Sequence, residues 1–191
     1  MKNASLRIAC VDTELTLFAM EADAEGYRAG PEFGFNYARV ANQIRMLREL
    51  DAPMAFGVYE PGHLRHARHY VNNGLSTPGP MWDFYLSGDY GLTAKDPIAT
   101  NGMKPSLESL CHYLHMIEGA EIKHPWYISI WGQGALDDTA ISRRAIELGG
   151  SIKTGLELFY DPAGNPTDLE LLQQAQEIAR IATKTCTGTA V

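Results

Sequence analysis

A lysine and a glutamate four residues apart are the side chains whose types and spacing point most directly to chemistry. They lie in the run Ile152 to Leu158, where the side chains of an extended strand would alternate between two faces. The apolar residues share one face, so Lys153, Gly155 and Glu157 share the face towards a barrel interior. Buried charges are costly unless each is paired or binds a ligand. The pattern therefore leaves two interpretations open, a ligand site or a structural ion pair between Lys153 and Glu157.

A second acidic side chain, Glu60, follows the predicted strand Met54 to Tyr59 and precedes a Pro-Gly turn. Barrel enzymes place their sites at the C-terminal ends of their strands. Glu60 therefore qualifies as an acid or hydrogen-bond acceptor that faces a substrate. A solvated glutamate in a turn has the same sequence pattern, so both interpretations stay open.

Three histidines with a three-residue spacing, His63, His66 and His69, raise the question of a metal site. Neighbouring turns of one helix bring such side chains close together. Residues at this spacing also rotate around the helix, which makes it difficult for three of them to converge on one ion. The spacing therefore favours a structural or surface role over a three-histidine site.

The elements that must position these side chains alternate between strands and helices along the whole chain. This pattern is typical of repeated βα units around a parallel sheet. Apolar residues recur at three- and four-residue intervals in the helical segments, as a face packed on a sheet requires. The last helix begins at Thr167, with Glu170 at capping-box spacing. The predicted strands are Ser5 to Val11, Met54 to Tyr59, Trp82 to Leu86, Trp126 to Trp131 and Ile152 to Leu158.

Five βα units are too few to close an eight-stranded barrel, so an arc of parallel sheet would keep two unpaired edges. Its inner face would also be uncovered. The pattern predicts that another chain completes the barrel, that two copies pair, or that the natural polypeptide is longer. We therefore expect a homo-oligomer or a complementing N-terminal chain as the partner.

Size and charge narrow the class of protein further. The 191 residues, 45% of them hydrophobic, suit one domain spanning residues 1–191. A net charge of -7 argues against nucleic acid as a partner. The sequence has no apolar run long enough to cross a membrane and no hydrophobic signal core, which predicts a cytoplasmic protein. The three cysteines are widely spaced, so we expect reduced thiols and no cysteine zinc site.

Several motifs resemble those of the β-keto acid cleavage enzymes. The run from Leu148 to Glu157 resembles that family's final-strand motif, Leu-Gly-Gly-x-Val-Arg-Val-Gly-Leu-Glu-Asp. The run from Val58 to Leu64 is similar to its acidic strand end followed by Gly-His-Leu. Phe84 to Gly88 and Ile130 to Gly132 fall where its next two strands are expected. The resemblance covers nearly the whole chain and implies a TIM-type (β/α)8 barrel, of which this chain supplies about strands four to eight.

The resemblance also implies an activity, a zinc-dependent retro-Claisen exchange between a β-keto acid and acetyl-CoA. The products are a new CoA thioester and acetoacetate. In this family two histidines of a His-x-His motif and the last-strand glutamate hold the metal, which polarises the keto group. Glu157 matches that glutamate, and Lys153 matches the arginine that holds the acyl substrate. Gly155 would lie beside the substrate, and Glu60 would act as a supporting acid.

Three departures from the family pattern bear on activity. The sequence contains no His-x-His, Leu158 replaces the family's aspartate, and Gly57 stands where a further glutamate is usual. One carboxylate does not hold a catalytic zinc alone. Two functions are therefore expected as alternatives. The chain either exchanges acyl groups once further strands complete it, or is a non-catalytic relative that binds a small acid or a partner protein.

Overall fold

A computed structural model describes residues 8–88, 101–118, 124–132, 136, 139–159 and 166–187. Among these residues, no helix has both the length and the apolar character that crossing a bilayer requires. Cys10 and Cys111 carry free thiols. The elements are β1 (Ala9–Asp12), β2 (Thr16–Asp23), β3 (Gly26–Phe33), α1 (Tyr37–Glu49), β4 (Met54–Val58), α2 (Pro61–Asn72), β5 (Met81–Ser87), α3 (Leu107–Glu118), β6 (Trp126–Trp131), α4 (Thr139–Glu147), β7 (Ser151–Lys153) and α5 (Asp168–Thr187).

The main sheet is parallel, with five strands in the order β1-β4-β5-β6-β7. Each strand pairs with the next one of this sheet along the chain, and a helix fills each interval, as repeated βα units require. The register pairs Asp12 with Gly57, Gly57 with Asp83 and Asp83 with Tyr127. The predicted α/β fold with a parallel sheet is therefore confirmed, whereas closure into a barrel stays a prediction.

The two faces of this sheet differ in chemistry because successive side chains point to opposite sides. The outer face is apolar and packs against the helices. Its largest fully buried side chains include Phe56, Trp82 and Phe84, and the Phe84 ring stacks on Tyr113 of α3 at a centroid distance of 5.0 Å. The opposite face, called the inner face from here on, carries Asp12, Asp83, Tyr85, Ser129 and Lys153.

The last predicted strand, Ile152 to Leu158, is wrong in its length. β7 ends at Lys153, and the chain then turns, with the Leu158 N–H donating to the Gly155 carbonyl over 3.0 Å. Gly155 adopts a φ of +152°, which side chains larger than hydrogen disfavour. An isolated parallel bridge joins Phe159 to Gly132, the residue after β6. Gly155 and Glu157 therefore do not share a strand face with Lys153.

A β-hairpin of β2 and β3 lies between β1 and α1, and the sequence analysis missed it. Its turn is closed by the Asp23 carboxylate, which accepts a hydrogen bond from the Glu25 N–H at 2.9 Å. Gly26 follows with a φ of +129°. In the sequence, the Asp-x-x-Gly turn between two short alternating runs indicates this hairpin. Phe18 of β2 is buried against the inner face, so the hairpin covers part of the site.

The capping box of the last helix is confirmed. The Glu170 N–H donates to Thr167 Oγ1 over 3.2 Å, and the Thr167 N–H donates to Glu170 Oε2 over 2.7 Å. These reciprocal bonds satisfy two backbone donors at the start of α5.

The outer-face core predicts a large stability loss when Phe84 is truncated. We expect Phe84→Ala to lower the free energy of unfolding by about 3 to 5 kcal/mol, because it leaves a cavity beneath Tyr113. Leu107→Ala on α3 is the matched control, because Leu107 is 45% exposed. Urea unfolding of both variants measures the difference, and equal losses would contradict this placement of the core.

Candidate functional site

The ammonium of Lys153 is the centre of the charged group on the inner face. Its Nζ donates a hydrogen bond to Tyr85 Oη over 3.0 Å. It also lies 3.8 Å from Asp83 Oδ2 and 3.9 Å from Glu157 Oε2. The Lys153 side chain is 34% exposed. The structure therefore brings Lys153 together with one acid that the sequence predicted and one that it missed.

Asp83 is the acid that the sequence analysis missed. Its side chain is 1% exposed, and Oδ1 accepts a hydrogen bond from Ser129 Oγ over 2.5 Å. Oδ2 faces the Lys153 ammonium, and the Tyr85 and Tyr127 phenols lie close enough to act on the same carboxyl. Burial raises the pKa of the Asp83 carboxyl to about 6, although the Ser129 hydrogen bond and the Lys153 charge act against the rise. A lone acid inside the apolar strand Met81–Ser87 is the sequence pattern that indicates this residue.

A second missed acid, Asp12, ends β1 on the same face. Its Oδ1 accepts a hydrogen bond from Tyr59 Oη over 3.2 Å. Burial raises the pKa of Asp12, while that hydrogen bond opposes the shift. A Cβ at Gly57 of the neighbouring strand would come within 2.5 Å of Asp12 Oδ1. The glycine at position 57 therefore makes room for the Asp12 carboxylate.

Aromatic rings surround these polar groups. Tyr59 and Tyr85 stack at 4.2 Å with an interplanar angle of 10°, and Trp131 lies 4.9 Å from Tyr85. Phe18 of the hairpin and Leu158 complete this buried cluster. Burial, reinforced by the neighbouring carboxylates, raises the pKa of both Tyr59 and Tyr85 well above the usual tyrosine value. Both phenols are therefore neutral hydrogen-bonding groups near pH 7.

Glu157 lies in the turn after β7, and its side chain is 61% exposed. The ion pair with Lys153 that the sequence left open is present as a 3.9 Å contact. An ion pair this exposed contributes little to stability, about 0 to 1 kcal/mol. Gly155 lies in the same turn, and a Cβ there would come within 3.6 Å of Asp168 Oδ1. Glu157 and Gly155 are therefore near Lys153 but outside the buried group of acids.

Glu60 is engaged in a structural contact. Its Oε1 accepts a hydrogen bond from the Gly102 N–H over 2.6 Å, which ties the start of α2 to the segment after β5. Gly102 has a φ of +76°, a conformation that glycine adopts without strain. Glu60 is half-buried and occupies the N-cap position of α2 without capping it through its side chain. Its role as a supporting acid stays a prediction.

The three histidines of α2 do not converge. His63 Nδ1 accepts from the Tyr59 N–H over 3.4 Å, so its proton sits on Nε2, which faces Glu14 Oε2 at 4.0 Å. Burial, with the nearby His66, lowers the pKa of His63 to about 4. His66 Nδ1 donates to the Thr13 carbonyl over 2.8 Å. His69 is exposed on another side of the helix, beside Asn73.

The charged and phenolic side chains lie along the inner face of a parallel sheet: Asp12 and Lys153 end their strands, whereas Asp83 and Tyr85 lie within β5. The chain belongs to the β-keto acid cleavage enzyme family, whose model matches residues 2–190. The family expected from the motifs is thereby confirmed, and its proteins are TIM-barrel-like. No curated protein matches the chain.

The zinc that the resemblance implies does not fit the described residues by themselves. Among them there is no group of three or more His, Cys, Asp or Glu side chains that could hold a metal ion. Glu157 supplies one exposed carboxylate, and a catalytic zinc needs three protein ligands.

Asp83 generates a pH-dependent prediction. Its carboxyl has a pKa of about 6 in the folded protein and an ordinary pKa of 3.8, so folding favours the protonated form. The contribution of Asp83 to stability is therefore present below pH 4 and is lost as pH rises through 6. Asp83→Asn does not titrate, so its stability relative to the parent should rise by about 1 to 3 kcal/mol between pH 4 and pH 7.5.

Urea unfolding at the two pH values measures this difference. The exposed Glu25→Gln controls for the loss of one carboxylate elsewhere. A difference between Asp83→Asn and the parent that is the same at both pH values would contradict the assignment.

The hydrogen bond of Glu60 leads to a prediction about stability. Glu60→Ala should lower the free energy of unfolding by about 1 to 3 kcal/mol, because the Gly102 N–H loses its acceptor. Glu60→Gln keeps an oxygen acceptor and should retain most of the stability. If both variants unfold like the parent in urea, the contact with Gly102 does not anchor the chain.

Proposed function

We propose that this chain acts in retro-Claisen cleavage of a β-keto acid, exchanging acyl groups with acetyl-CoA to give a new CoA thioester and acetoacetate. The observation that carries this proposal is Lys153, whose side chain is one-third exposed at the end of β7 and whose ammonium lies over the Tyr85 ring. A cation in such surroundings attracts a carboxylate or a polarised carbonyl more strongly than it would in water.

Lys153 is the substrate-holding residue in this proposal. Tyr85 accepts one of its hydrogen bonds and leaves two ammonium protons for other acceptors. The keto-acid carboxylate or the thioester oxygen takes one of them. Gly155, two residues further along, lets a substrate approach the backbone because it has no side chain.

The missing part of the site would come from further barrel strands. Among the described strands of the main sheet, β1 pairs only with β4 and β7 only with β6, so each has one side free for another strand. Such strands, from another polypeptide, a second copy or the same protein, would supply the His-x-His pair. Glu157 would then be the third zinc ligand, and Glu60 a supporting acid. The expected cofactor remains zinc, with acetyl-CoA as co-substrate.

A non-catalytic function is the second candidate, and Leu158 favours it. The family's aspartate at this position takes part in the chemistry, whereas Leu158 is 3% exposed and packs in the aromatic cluster. Lys153 and Glu157 also contact each other. In this case the inner face binds a small acid or a partner protein without turnover.

The two candidate functions predict different zinc contents and different turnover with acetyl-CoA. Under the first, zinc should be stoichiometric once the barrel is complete and should be lost in Glu157→Ala, and acetyl-CoA should convert β-keto acids into thioesters. Lys153→Ala should weaken keto-acid binding on the order of tenfold or more, as expected for one charge-assisted contact. Lys153→Arg keeps the charge and should retain binding.

Metal analysis and an acetoacetate assay provide the measurement, on the chain alone and with added partner chains. Lys104→Ala is the control, because Lys104 is an exposed lysine outside the site. Absence of zinc and of acetyl-CoA-dependent acetoacetate under all these conditions would contradict the catalytic proposal and leave the binding function.

A further inference from the structure

Three side chains connect the ammonium of Lys153 to the far edge of the sheet. Lys153 Nζ donates a hydrogen bond to Tyr85 Oη over 3.0 Å. The Tyr85 and Tyr59 phenols share a hydrogen bond, and their rings stack at a centroid distance of 4.2 Å. Tyr59 Oη donates to Asp12 Oδ1 over 3.2 Å. The contacts therefore run from β7 across β5 and the end of β4 to Asp12 on β1.

The direction of these hydrogen bonds follows from the groups at the two ends. An ammonium only donates, and an ionised carboxylate only accepts. Because a phenol carries one hydrogen, Tyr59 donates that hydrogen to Asp12 and accepts from Tyr85. The single hydrogen of Tyr85 lies within reach of Tyr59 and of the Asp83 carboxyl. The lone pairs of Tyr85 are thereby left for Lys153.

The neighbouring strand provides the space for the Asp12 carboxylate. Asp12 pairs with Gly57, and a Cβ at position 57 would come within 2.5 Å of Asp12 Oδ1. The same Cβ would lie 3.5 Å from the Tyr59 ring and 3.6 Å from the Tyr85 ring. The carboxylate therefore lies beside both stacked rings, in the place that a side chain at position 57 would otherwise fill.

We propose that Asp12 is a positioning residue, which holds the Lys153 ammonium in place through Tyr59 and Tyr85. As long as Asp12 accepts the Tyr59 hydrogen, that hydrogen is kept away from Tyr85. Without Asp12, the Tyr59 phenol turns and donates to Tyr85 Oη, where it competes with Lys153 for the lone pairs. The ammonium is then drawn towards its carboxylate neighbours. The consequence for a substrate rests on the proposed function, because a keto acid held by Lys153 binds less well when the ammonium is displaced.

The NMR signal of the Lys153 ammonium tests this proposal without any substrate. The full chain is prepared with isotope-labelled lysine, and the proton–nitrogen correlation of the ammonium groups is recorded at low temperature and one fixed pH. Lys153→Arg removes the Lys153 signal and thereby assigns it. Asp12→Ala should shift this signal, because Lys153 loses part of its hydrogen bond to Tyr85. Gly57→Ala should also shift it, because the new Cβ displaces the Asp12 carboxylate.

Three comparisons separate positioning from a general disturbance of β1. Asp12→Asn keeps an oxygen acceptor for the Tyr59 hydrogen and should leave the Lys153 signal in place. In a Tyr59→Phe background the competing hydroxyl is absent, so Asp12→Ala should cause no further shift. Tyr27→Phe is the control for loss of a phenol elsewhere, because Tyr27 is 67% exposed. An Asp12→Ala shift that persists in the Tyr59→Phe background overturns the proposal.

Acetoacetate binding to the same variants, measured by isothermal titration calorimetry, connects the position of Lys153 with its substrate. Asp12→Ala should weaken binding about three- to tenfold, as expected for loss of one hydrogen bond, and only where the Tyr59 hydroxyl is present. If the parent binds acetoacetate but Asp12→Ala leaves the Lys153 signal unchanged, the positioning role is overturned and the proposed function stands. If the parent does not bind acetoacetate, the proposed function fails, and the Lys153 signal still decides on Asp12.

Discussion

The contact between one ammonium and the buried carboxylate of Asp83 is the interaction on which the rest of the site depends. An acid that is 1% exposed in a sheet interior is costly to ionise unless a cation or hydrogen-bond donors compensate. Ser129 satisfies one carboxylate oxygen, and Lys153 faces the other. The contacts with Asp83 and Tyr85 hold the Lys153 side chain against the inner face. A substrate held by Lys153, as proposed, would meet Nζ in that position.

The alternation of side chains along parallel strands builds this contact. Phe84 and Ile128 face the helices, and their neighbours Asp83 and Ser129 therefore face inwards on adjacent strands. On β4, Gly57 faces inwards too, and because it has no side chain it leaves space for the Asp12 carboxylate. The inner face is thus polar as a consequence of the register that buries the apolar face.

The order of strands and helices was predictable from the sequence, and the features that were not predicted have physical reasons. The strand and helix order follows from apolar periodicity, and the capping box at Thr167 fixes the start of α5. The strand through Leu158 was overestimated because alternation continues past Gly155, whereas the backbone turns there. Asp12 and Asp83 were missed because each is a single acid in an apolar run, and their proximity to Lys153 depends on register between strands far apart in sequence. The hairpin is an antiparallel pair, so the alternation of strands and helices in βα units does not predict it.

A double-mutant cycle between Lys153 and Asp83 tests this account most directly. The free energy of unfolding at pH 7.5 is measured for the parent, Lys153→Met, Asp83→Asn and the double variant. If the ammonium compensates the buried carboxylate, Lys153→Met should be strongly destabilising only where Asp83 is present, with a coupling energy of about 1 to 3 kcal/mol. Additive effects of the two substitutions would show that these side chains do not interact, and the site described here would not exist.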